Sequence, residues 1–284
     1  MPIGRGKGSL WVAGGWAFLF LAFFFFSFQS WARDSHRLLV VGSGDSEYLT
    51  VALGLEFQRL HPDIVVVVPP SIHTGGGIKA VMKGEAHLAR ISRPLLPHEK
   101  GKGIKYCFFA KTPVVFVVHP TVQGVTDLDR KTLVEIYHGK IRNWKELGGP
   151  DHKIYVVQRE PGDSCRTVLE RYVPDLGRVP EGVAYTAFST PEALMVIEAH
   201  NYTIGYLPMA AARAGSVRVL ALEGVAPTLE NLAQSRYKYY VLLGVAYKEP
   251  LSHNAKLFME FFSSDRAKKI MRDFGSLPIE GCSR

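Results

Sequence analysis

The feature that most constrains this chain is the alternation of short, fully apolar β-branched runs with helical patterns. Residues 64–68 (Ile-Val-Val-Val-Val) and 114–118 (Val-Val-Phe-Val-Val) show no polar alternation, which is typical of strands covered on both faces in a parallel sheet. Between such runs, apolar residues recur at helical spacing, as in residues 47–60, where Glu56 interrupts the apolar face. The pattern predicts an α/β fold, and the number of βα units favours two lobes over one sheet.

Other segments continue this alternation. Further strands are predicted at residues 37–41, 154–157 and 239–247, and helices at residues 78–83, 165–172 and 255–274. Gly84 and Gly139 are placed to end helices in the left-handed conformation. Thr126, with Asp129 three positions later, has the spacing of a capping box, so we expect Thr126 to begin a helix.

Composition excludes several classes of protein. The 284 residues are 47% hydrophobic and 21% charged, which provides enough apolar material for a sizeable core. Three cysteines without a Cys-x-x-Cys pair argue against both a disulfide scaffold and a structural zinc site. Cys107 and Cys282 could pair in an oxidising compartment, although the sequence does not show that they meet. The ten histidines have no metal-binding spacing, so no metal or cofactor is expected.

The first 32 residues have the pattern of an export signal. Arg5 and Lys7 precede an apolar run at residues 10–28, and Ser30-Trp31-Ala32 follows with small residues where a signal peptidase reads. An uncleaved membrane anchor is the alternative, because a run of about 19 apolar residues is near the length that spans a bilayer. In both cases the remaining chain is expected outside the cytoplasm, in the periplasm or the extracellular space.

The charge of the chain is compatible with an anionic ligand. The net charge is +8, and loss of the two basic residues of the signal would leave +6. A positive surface attracts anions over a distance, although the same charge can simply serve solubility. The sequence has no long Lys/Arg run and no basic stripe interleaved with aromatic residues, so nucleic acid is not expected as a partner.

Three loops share the order of a strand, a segment of glycine and small hydroxyl residues, and a helix. They are residues 42–46, 74–77 and 162–165, the last preceded by Arg159. Free amides at a helix start, close approach at glycine and a forked guanidinium together suit a small oxyanion. Such residues also cap helices without any ligand. Three of them at the carboxyl ends of strands, where α/β proteins bind ligands, favour a binding site.

The chain resembles the periplasmic phosphate-binding proteins of ABC transporters, which have the type II periplasmic-binding-protein fold. The resemblance rests on six stretches in family order: Gly42-Ser43-Gly44; Thr74-Gly75-Gly76-Gly77-Ile78-Lys79-Ala80 with Lys83-Gly84-Glu85-Ala86; Ser92-Arg93-Pro94-Leu95; Ile136 to Gly149, which contains Gly139-Lys140-Ile141-Arg142-Asn143-Trp144; Val157-Gln158-Arg159-Glu160-Pro161-Gly162; and Ile204-Gly205-Tyr206. The block around Asn143-Trp144 is the most specific of the six.

The resemblance implies two lobes that are joined by a double crossover hinge and that close on an anion in the cleft between them. Lobe one would comprise residues 36–115 and 208–284, and lobe two residues 116–207. A monomer of this kind would deliver an inorganic oxyanion, most simply phosphate, to the membrane permease of an ABC importer. It would perform no catalysis.

The resemblance also implies the ligand-binding residues. The first loop would bind through Ser46, and the second through Thr74 and the amide of Gly75. Ser92 stands where the family presents Asp or Ser, and Arg159 matches the arginine that clamps the ligand. Glu47 departs from the family, because many relatives carry an aromatic residue there.

The third loop carries the main departure. Asp163, Ser164 and Cys165 stand where the family usually has Ser-Gly-Thr, so two hydroxyl donors are lost and a carboxylate is added. Asp163 could accept the proton of a protonated phosphate and so confer selectivity, could point away from the anion as a helix cap, or could indicate a different ligand. The sequence leaves phosphate, arsenate, sulfate, molybdate and a small organic phosphate open.

Two rival functions are compatible with parts of the sequence. Cys165 and Arg171 have the Cys-x5-Arg spacing of cysteine phosphatases, but the residues between them contain no glycine and form a helical pattern. A helix cannot wrap a phosphate in that way, so we do not expect an enzyme. Cys165 at a helix start beside Arg166 could have a lowered pKa, but we prefer the interpretation that it is an inert small residue. The second rival is a sensor of the same fold, tethered to the membrane by an uncleaved N-terminus and signalling to a partner protein.

Overall fold

The computed structural model describes residues 36–101 and 103–282. Its strands are β1 (Arg37–Gly42), β2 (Val65–Val67), β3 (Leu88–Ile91), β4 (Ile104–Val118), β5 (Asp127–Leu128), β6 (Tyr155–Arg159), β7 (Ala184–Ala187), β8 (Thr203–Pro208), β9 (Arg218–Val219), β10 (Ala221–Leu222), β11 (Tyr240–Lys248) and β12 (Leu277–Pro278). Its α-helices are α1 (Glu47–Leu60), α2 (His73–Lys83), α3 (Arg130–Tyr137), α4 (Ser164–Tyr172), α5 (Thr190–Ala199), α6 (Met209–Ala212), α7 (Leu229–Ala233), α8 (His253–Phe261) and α9 (Asp265–Asp273). The predicted export signal lies outside the described residues.

One long strand organises the main sheet. The strand order is β2-β1-β3-β11-β4-β8-β6-β7, with β12 and β9 also paired to β4. The first part of β4 pairs with β11 up to Pro113, and from Val114 onward β4 pairs with β8. Strands β1 and β3 are parallel, as are β6 with β7 and β6 with β8. The predicted α/β class is confirmed, but residues 114–118, predicted to form a strand of a parallel sheet, lie in β4, which is antiparallel to β11 and β8.

Strand β2 differs from its prediction. The apolar run at residues 64–68 predicted a strand covered on both faces, but β2 lies at the edge of the sheet and Val65 is 48% exposed. Ile64, directly before it, is buried in the core. An apolar run alone therefore does not distinguish a central strand from an edge strand whose inner face alone is covered.

Helix α1 begins and ends where the sequence predicts. Leu49, Leu53 and Phe57 lie on its buried face. Glu56, which interrupts the apolar pattern, pairs with Arg59 at 2.8 Å and with Arg266 at 2.9 Å. The hydrophobic periodicity located this helix correctly because the interrupting carboxylate finds cationic partners near the surface.

Helix α2 starts earlier than predicted. It begins at His73, so the Thr-Gly-Gly-Gly segment forms its first turn instead of a preceding loop. A Cβ on Gly77 would lie 2.7 Å from the Cα of Gly42, so the helix approaches β1 more closely than any other residue would allow. The predicted left-handed end at Gly84 is confirmed, with φ +76°.

Two other helix predictions require correction. Asp129, not Thr126, caps α3, because its side chain accepts a hydrogen bond from the Thr132 amide. The segment predicted as one helix at residues 255–274 is two helices, α8 and α9, and Ser264 caps the second. In both cases the helix begins directly after the residue whose side chain accepts a hydrogen bond from an amide of the first turn. The left-handed end predicted at Gly139 is confirmed, with φ +69°.

A disulfide ties the C-terminal segment to the central strand. Cys107 of β4 is bonded to Cys282, with 5.1 Å between their Cα atoms. The sequence left open whether these two cysteines pair, and in the structure they do. A crosslink between such distant positions restricts the unfolded chain, which stabilises the folded state by about 2–4 kcal/mol.

Candidate oxyanion-binding site

A cavity of about 290 Å³ lies where the ends of β1 and β6 meet the start of α2. Each of the three predicted loops contributes to its wall. The lining residues are Ser43, Gly44, Asp45, Ser71, His73, Thr74, Gly75, Arg93, Arg159, Glu160, Pro161, Gly162, Asp163, Ser164 and Thr190. Loops that are far apart in sequence therefore surround one space at the carboxyl ends of strands.

The first loop turns its side chains differently from the prediction. Ser43 and Asp45 line the cavity, and the Ser43 Oγ accepts a hydrogen bond from the Asp45 amide at 3.2 Å. Ser46, the predicted ligand residue, is fully buried outside the lining, and its Oγ has no hydrogen-bond partner among the described residues. From this loop, the structure thus presents Asp45 to the cavity where the sequence suggested Ser46.

The second loop offers the start of α2. Thr74 and Gly75 both line the cavity, as predicted for ligand residues. Ser92 lies behind them: its amide donates to the Thr74 Oγ1 at 3.2 Å, and its Oγ shares a hydrogen bond with the Ser43 Oγ at 2.7 Å. Ser92 therefore holds the first two loops together but does not itself line the cavity.

Arg159 ends β6 with its side chain almost completely buried, and all three guanidinium nitrogens have protein acceptors. The Nε donates to the Ala187 carbonyl at 3.2 Å and the Nη1 donates to the Thr190 Oγ1 at 2.9 Å. The Nη2 forms an ion pair with the Asp163 Oδ2 at 2.9 Å. Its amide donates to the Tyr206 hydroxyl at 3.0 Å. Burial alone would lower the pKa of Arg159, but the neighbouring carboxylates, Asp163 first, raise it. The guanidinium is therefore a fixed cation at the cavity wall.

Asp163 lines the cavity with both oxygens engaged. Its Oδ1 caps α4 by accepting from the Arg166 amide at 2.9 Å, and its Oδ2 pairs with Arg159. Burial raises the pKa of Asp163 to about 7 against the opposing pull of Arg159, and the nearby Asp45 carboxylate adds to the rise. Asp163 therefore caps the helix, as one interpretation held, but it does not point away from the cavity, because its carboxylate is also the direct partner of the predicted anion clamp.

Asp45 is the second buried carboxylate of the cavity. Its Oδ1 accepts a hydrogen bond from the Thr190 Oγ1 at 2.8 Å and lies 4.0 Å from the Cys165 Sγ. Its Oδ2 is buried and has no hydrogen-bond partner within the described part of the chain. Because the Thr190 hydroxyl also accepts from Arg159, a continuous chain links guanidinium, hydroxyl and carboxylate across the cavity.

Cys165 does not have the properties of a reactive thiol. It is fully buried in α4 and does not line the cavity, whereas its neighbour Ser164 does. Burial raises the pKa of the Cys165 thiol well above its ordinary value, and the nearby carboxylates of Asp45 and Asp163 raise it further. This agrees with the preferred interpretation of Cys165 as an inert small residue, and the alternative of a lowered pKa at the helix start is not supported.

Several residues that line the cavity were not among the predicted ligand residues. Glu160, His73 and Arg93 contribute charged or titratable groups, and the His73 Nδ1 lies 3.5 Å from the Glu160 carboxylate. The Arg93 guanidinium is paired with Glu99 at 2.7 Å. Arg93 and Glu160 stand in the stretches that carry the family resemblance, which was a usable signal. Thr190 follows β7 in a segment without glycine, and no sequence pattern indicated it.

The described residues contain neither a candidate metal site nor a candidate membrane-spanning helix. No group of three or more His, Cys, Asp or Glu side chains is placed to hold a metal ion in residues 36–101 and 103–282. In the same part of the chain, no helix combines the length and the apolar character needed to cross a membrane.

The fold and the cavity define an α/β binding protein of the two-lobed periplasmic-binding-protein type. A family model described as the PBP superfamily domain matches residues 29–266, and the chain belongs to this superfamily. It is 28% identical over 251 residues to the phosphate-binding protein PstS of Bacillus subtilis, which covers 87% of this chain and 82% of that protein.

Two solved structures are similar over almost their whole length. One, from Clostridium perfringens, is a substrate-binding protein assigned to phosphate ABC transport and contains bound phosphate. It is 26% identical with a TM-score of 0.73, covering 86% of this chain and 100% of that one. The other is an ABC-type phosphate transport receptor from Vibrio cholerae, 26% identical with a TM-score of 0.59, covering 84% and 99%.

Proposed function

We propose that this protein is an extracytoplasmic solute-binding protein that captures inorganic phosphate and delivers it to the permease of an ABC importer. It acts as a monomer and performs no chemistry on its ligand. Similarity to phosphate-binding proteins over most of the chain supports this assignment.

The observation that carries the proposal is the convergence of Arg159 with the starts of two helices on one cavity. Thr74 and Gly75 lie in the first turn of α2, and Ser164 begins α4. Amides in a first helical turn have no partner within the helix and carry a partial positive charge. Together with one buried guanidinium, they suit a small tetrahedral anion that accepts hydrogen bonds on several sides.

The carboxylates favour a ligand that brings its own proton. The Asp45 Oδ2 is a buried acceptor without a protein donor, and an unpaired buried carboxylate oxygen costs free energy. A protonated phosphate or arsenate can donate a hydrogen bond to it, whereas a fully ionised sulfate cannot. The role that the sequence suggested for Asp163 therefore suits Asp45 better, since both Asp163 oxygens are engaged.

Isothermal titration calorimetry of the protein with phosphate, arsenate, sulfate and molybdate tests the assignment. We expect binding of phosphate and arsenate and at least tenfold weaker binding of sulfate and molybdate. Calorimetry is preferable to tryptophan fluorescence because Trp144 is completely buried and does not line the cavity. Absence of a signal with phosphate at every pH, together with binding of another of these anions, would refute the proposed ligand.

The sensor alternative differs in the fate of the N-terminus. A cleaved signal leaves a free binding protein, while retention of residues 1–32 leaves a tethered one. The intact mass of the exported protein distinguishes the two, and we expect the mass of a chain that starts at Arg33.

A further inference from the structure

Arg159, the predicted anion clamp, is paired with an anion from its own chain. The Asp163 Oδ2 lies 2.9 Å from the Arg159 Nη2, and both side chains are about 95% or more buried. The remaining two nitrogens of Arg159 donate to Ala187 and Thr190. A phosphate that approaches Arg159 therefore meets a carboxylate in the place where its own oxygen would bind.

The other charges around the cavity add to the repulsion that a bound phosphate would meet. Arg159 faces three carboxylates, those of Asp45, Glu160 and Asp163, and the second guanidinium at the wall, Arg93, is neutralised by Glu99. A phosphate dianion placed among them would add to an existing excess of negative charge in a medium of low dielectric constant. Such repulsion is relieved when a carboxyl group takes up a proton.

We propose that Asp163 is an internal counter-ion of Arg159, and that phosphate, when it binds, displaces it as one proton from solvent neutralises the Asp163 carboxyl. The inference rests on the proposed function and concerns the same site. The proton adds to the carboxylate oxygen and no other bond changes. A neutral Asp163 supplies an O–H donor at the position where the resemblance leads one to expect a serine hydroxyl.

Several charged or titratable groups face Asp163, and together with burial they set the pKa of its carboxyl. They are Arg159 from β6, Asp45 and Glu160 from the neighbouring loops, Tyr206 from β8, and Cys165 and Arg166 from its own helix. Burial has already brought the pKa of Asp163 to about 7, and a bound anion raises it further because it disfavours a second negative charge. Proton uptake is then expected above pH 7, where the empty site holds an ionised Asp163.

The pKa of Asp163 is about 7 and rises when an anion binds, and this determines how phosphate affinity changes with pH. Below about pH 6 the carboxyl is neutral before binding, so affinity should not change with pH through Asp163. Above about pH 7 each bound phosphate must bring a proton to Asp163, and the affinity should fall by up to about tenfold per pH unit. A proton taken up by the ligand itself would give a similar trend, so the experiment must locate the proton.

Calorimetric titration with phosphate in buffers of different ionisation enthalpy counts the protons. For the unchanged protein we expect uptake of about one proton at pH 8 and almost none from Asp163 at pH 5.5. Asp163→Asn keeps an oxygen that can cap α4, so the helix start is preserved. This variant should lose the uptake at pH 8 and bind phosphate at least about tenfold more tightly there, with little change at pH 5.5.

Two further variants separate the alternatives. Asp129→Asn alters the equivalent cap of α3, outside the cavity lining, and should leave affinity and proton uptake unchanged. Asp45→Asn should retain the proton uptake if Asp163 is the acceptor. Uptake that persists in Asp163→Asn, or that disappears only in Asp45→Asn, would overturn the proposal while leaving phosphate capture intact. Absence of phosphate binding at both pH values would instead overturn the proposed function, and this inference with it.

Discussion

Among the described residues, Arg159 and Arg90 are two arginines buried almost completely, and they are held in different ways. Arg159 lies at the cavity and has an acceptor for each guanidinium nitrogen. Arg90, in β3, has its Nη2 donating to the Pro69 carbonyl at 2.9 Å and lying 3.5 Å from the Glu47 carboxylate. Its Nε and Nη1 have no hydrogen-bond partner in the described chain. Burial therefore does not by itself identify a functional arginine.

The two environments shift the arginine pKa in opposite directions. Several carboxylates raise the pKa of Arg159, whereas burial lowers that of Arg90 to about 10, with Glu47 opposing the change only in part. Several carboxylates surround the single positive charge of Arg159, which stays charged at a cavity wall that a ligand can reach. Arg90 joins the segment before α2 to the start of α1 and lies outside the cavity lining. We interpret Arg159 as a binding residue and Arg90 as an internal brace.

The largest expected effect is on ligand affinity at Arg159. Arg159→Ala should weaken phosphate binding by at least about 100-fold, because a desolvated anion would lose its cation. Calorimetry measures the change, and Arg130→Ala serves as the control. Arg130 is a half-exposed arginine paired with Glu223, away from the cavity lining. Equal losses from both variants would contradict the assignment of the cavity.

Arg90 should show the opposite profile. Arg90→Ala leaves Glu47 without its buried partner and should lower the free energy of unfolding by about 3 kcal/mol. Phosphate affinity of the folded fraction should change by less than about tenfold, since Arg90 does not reach the cavity. Urea denaturation and calorimetry on the same preparation separate the two quantities.

A double variant tests more directly whether Arg90 stabilises the fold by pairing with Glu47. In Arg90→Met with Glu47→Gln, both charges are removed, so part of the lost stability should return relative to Arg90→Met alone. An Arg90 variant with unchanged stability and an affinity loss as large as that of Arg159→Ala would refute the distinction between the two arginines.

The same contrast shows how far the sequence could go. Arg159 follows a strand and precedes a glycine-containing loop, so both the pattern and the family resemblance pointed to it. Arg90 lies inside Leu-Ala-Arg-Ile, a buried strand whose side-chain environment depends on a loop about 20 residues away. Its partner Glu47 was recognised as a departure from the family, but a single sequence could not show that Arg90 compensates for it.

Within the site, the sequence located loops more reliably than side chains. The three loops do meet, but the first presents Asp45, and Ser46 is turned into the interior. Which of two adjacent side chains faces a ligand depends on the short 3₁₀ turn at Gly44–Ser46, which glycine spacing does not specify. Thr190 reaches the cavity only because β7 pairs with β6, a contact between distant segments.

Thr190 provides the finest test of how Arg159 is held. Its hydroxyl accepts from the Arg159 Nη1 and donates to the Asp45 Oδ1, so one oxygen fixes both groups. Thr190→Val keeps the shape but removes both hydrogen bonds, and we expect phosphate affinity to fall by about fivefold, near 1 kcal/mol. Thr190→Ser retains the hydroxyl and should restore most of that affinity, which a loss of packing alone would not allow.

Thr203 provides a matched control for the Thr190 variants. Thr203 in β8 is equally buried, but its Oγ1 has no hydrogen-bond partner in the described chain and lies outside the cavity lining. Thr203→Val therefore removes a buried hydroxyl without breaking a link to Arg159, and it should leave phosphate affinity unchanged. If Thr203→Val weakened binding as much as Thr190→Val, the effect would come from the loss of any buried hydroxyl in this region and not from the link to Arg159. The guanidinium would then be held by Ala187 and Asp163 without help from the hydroxyl.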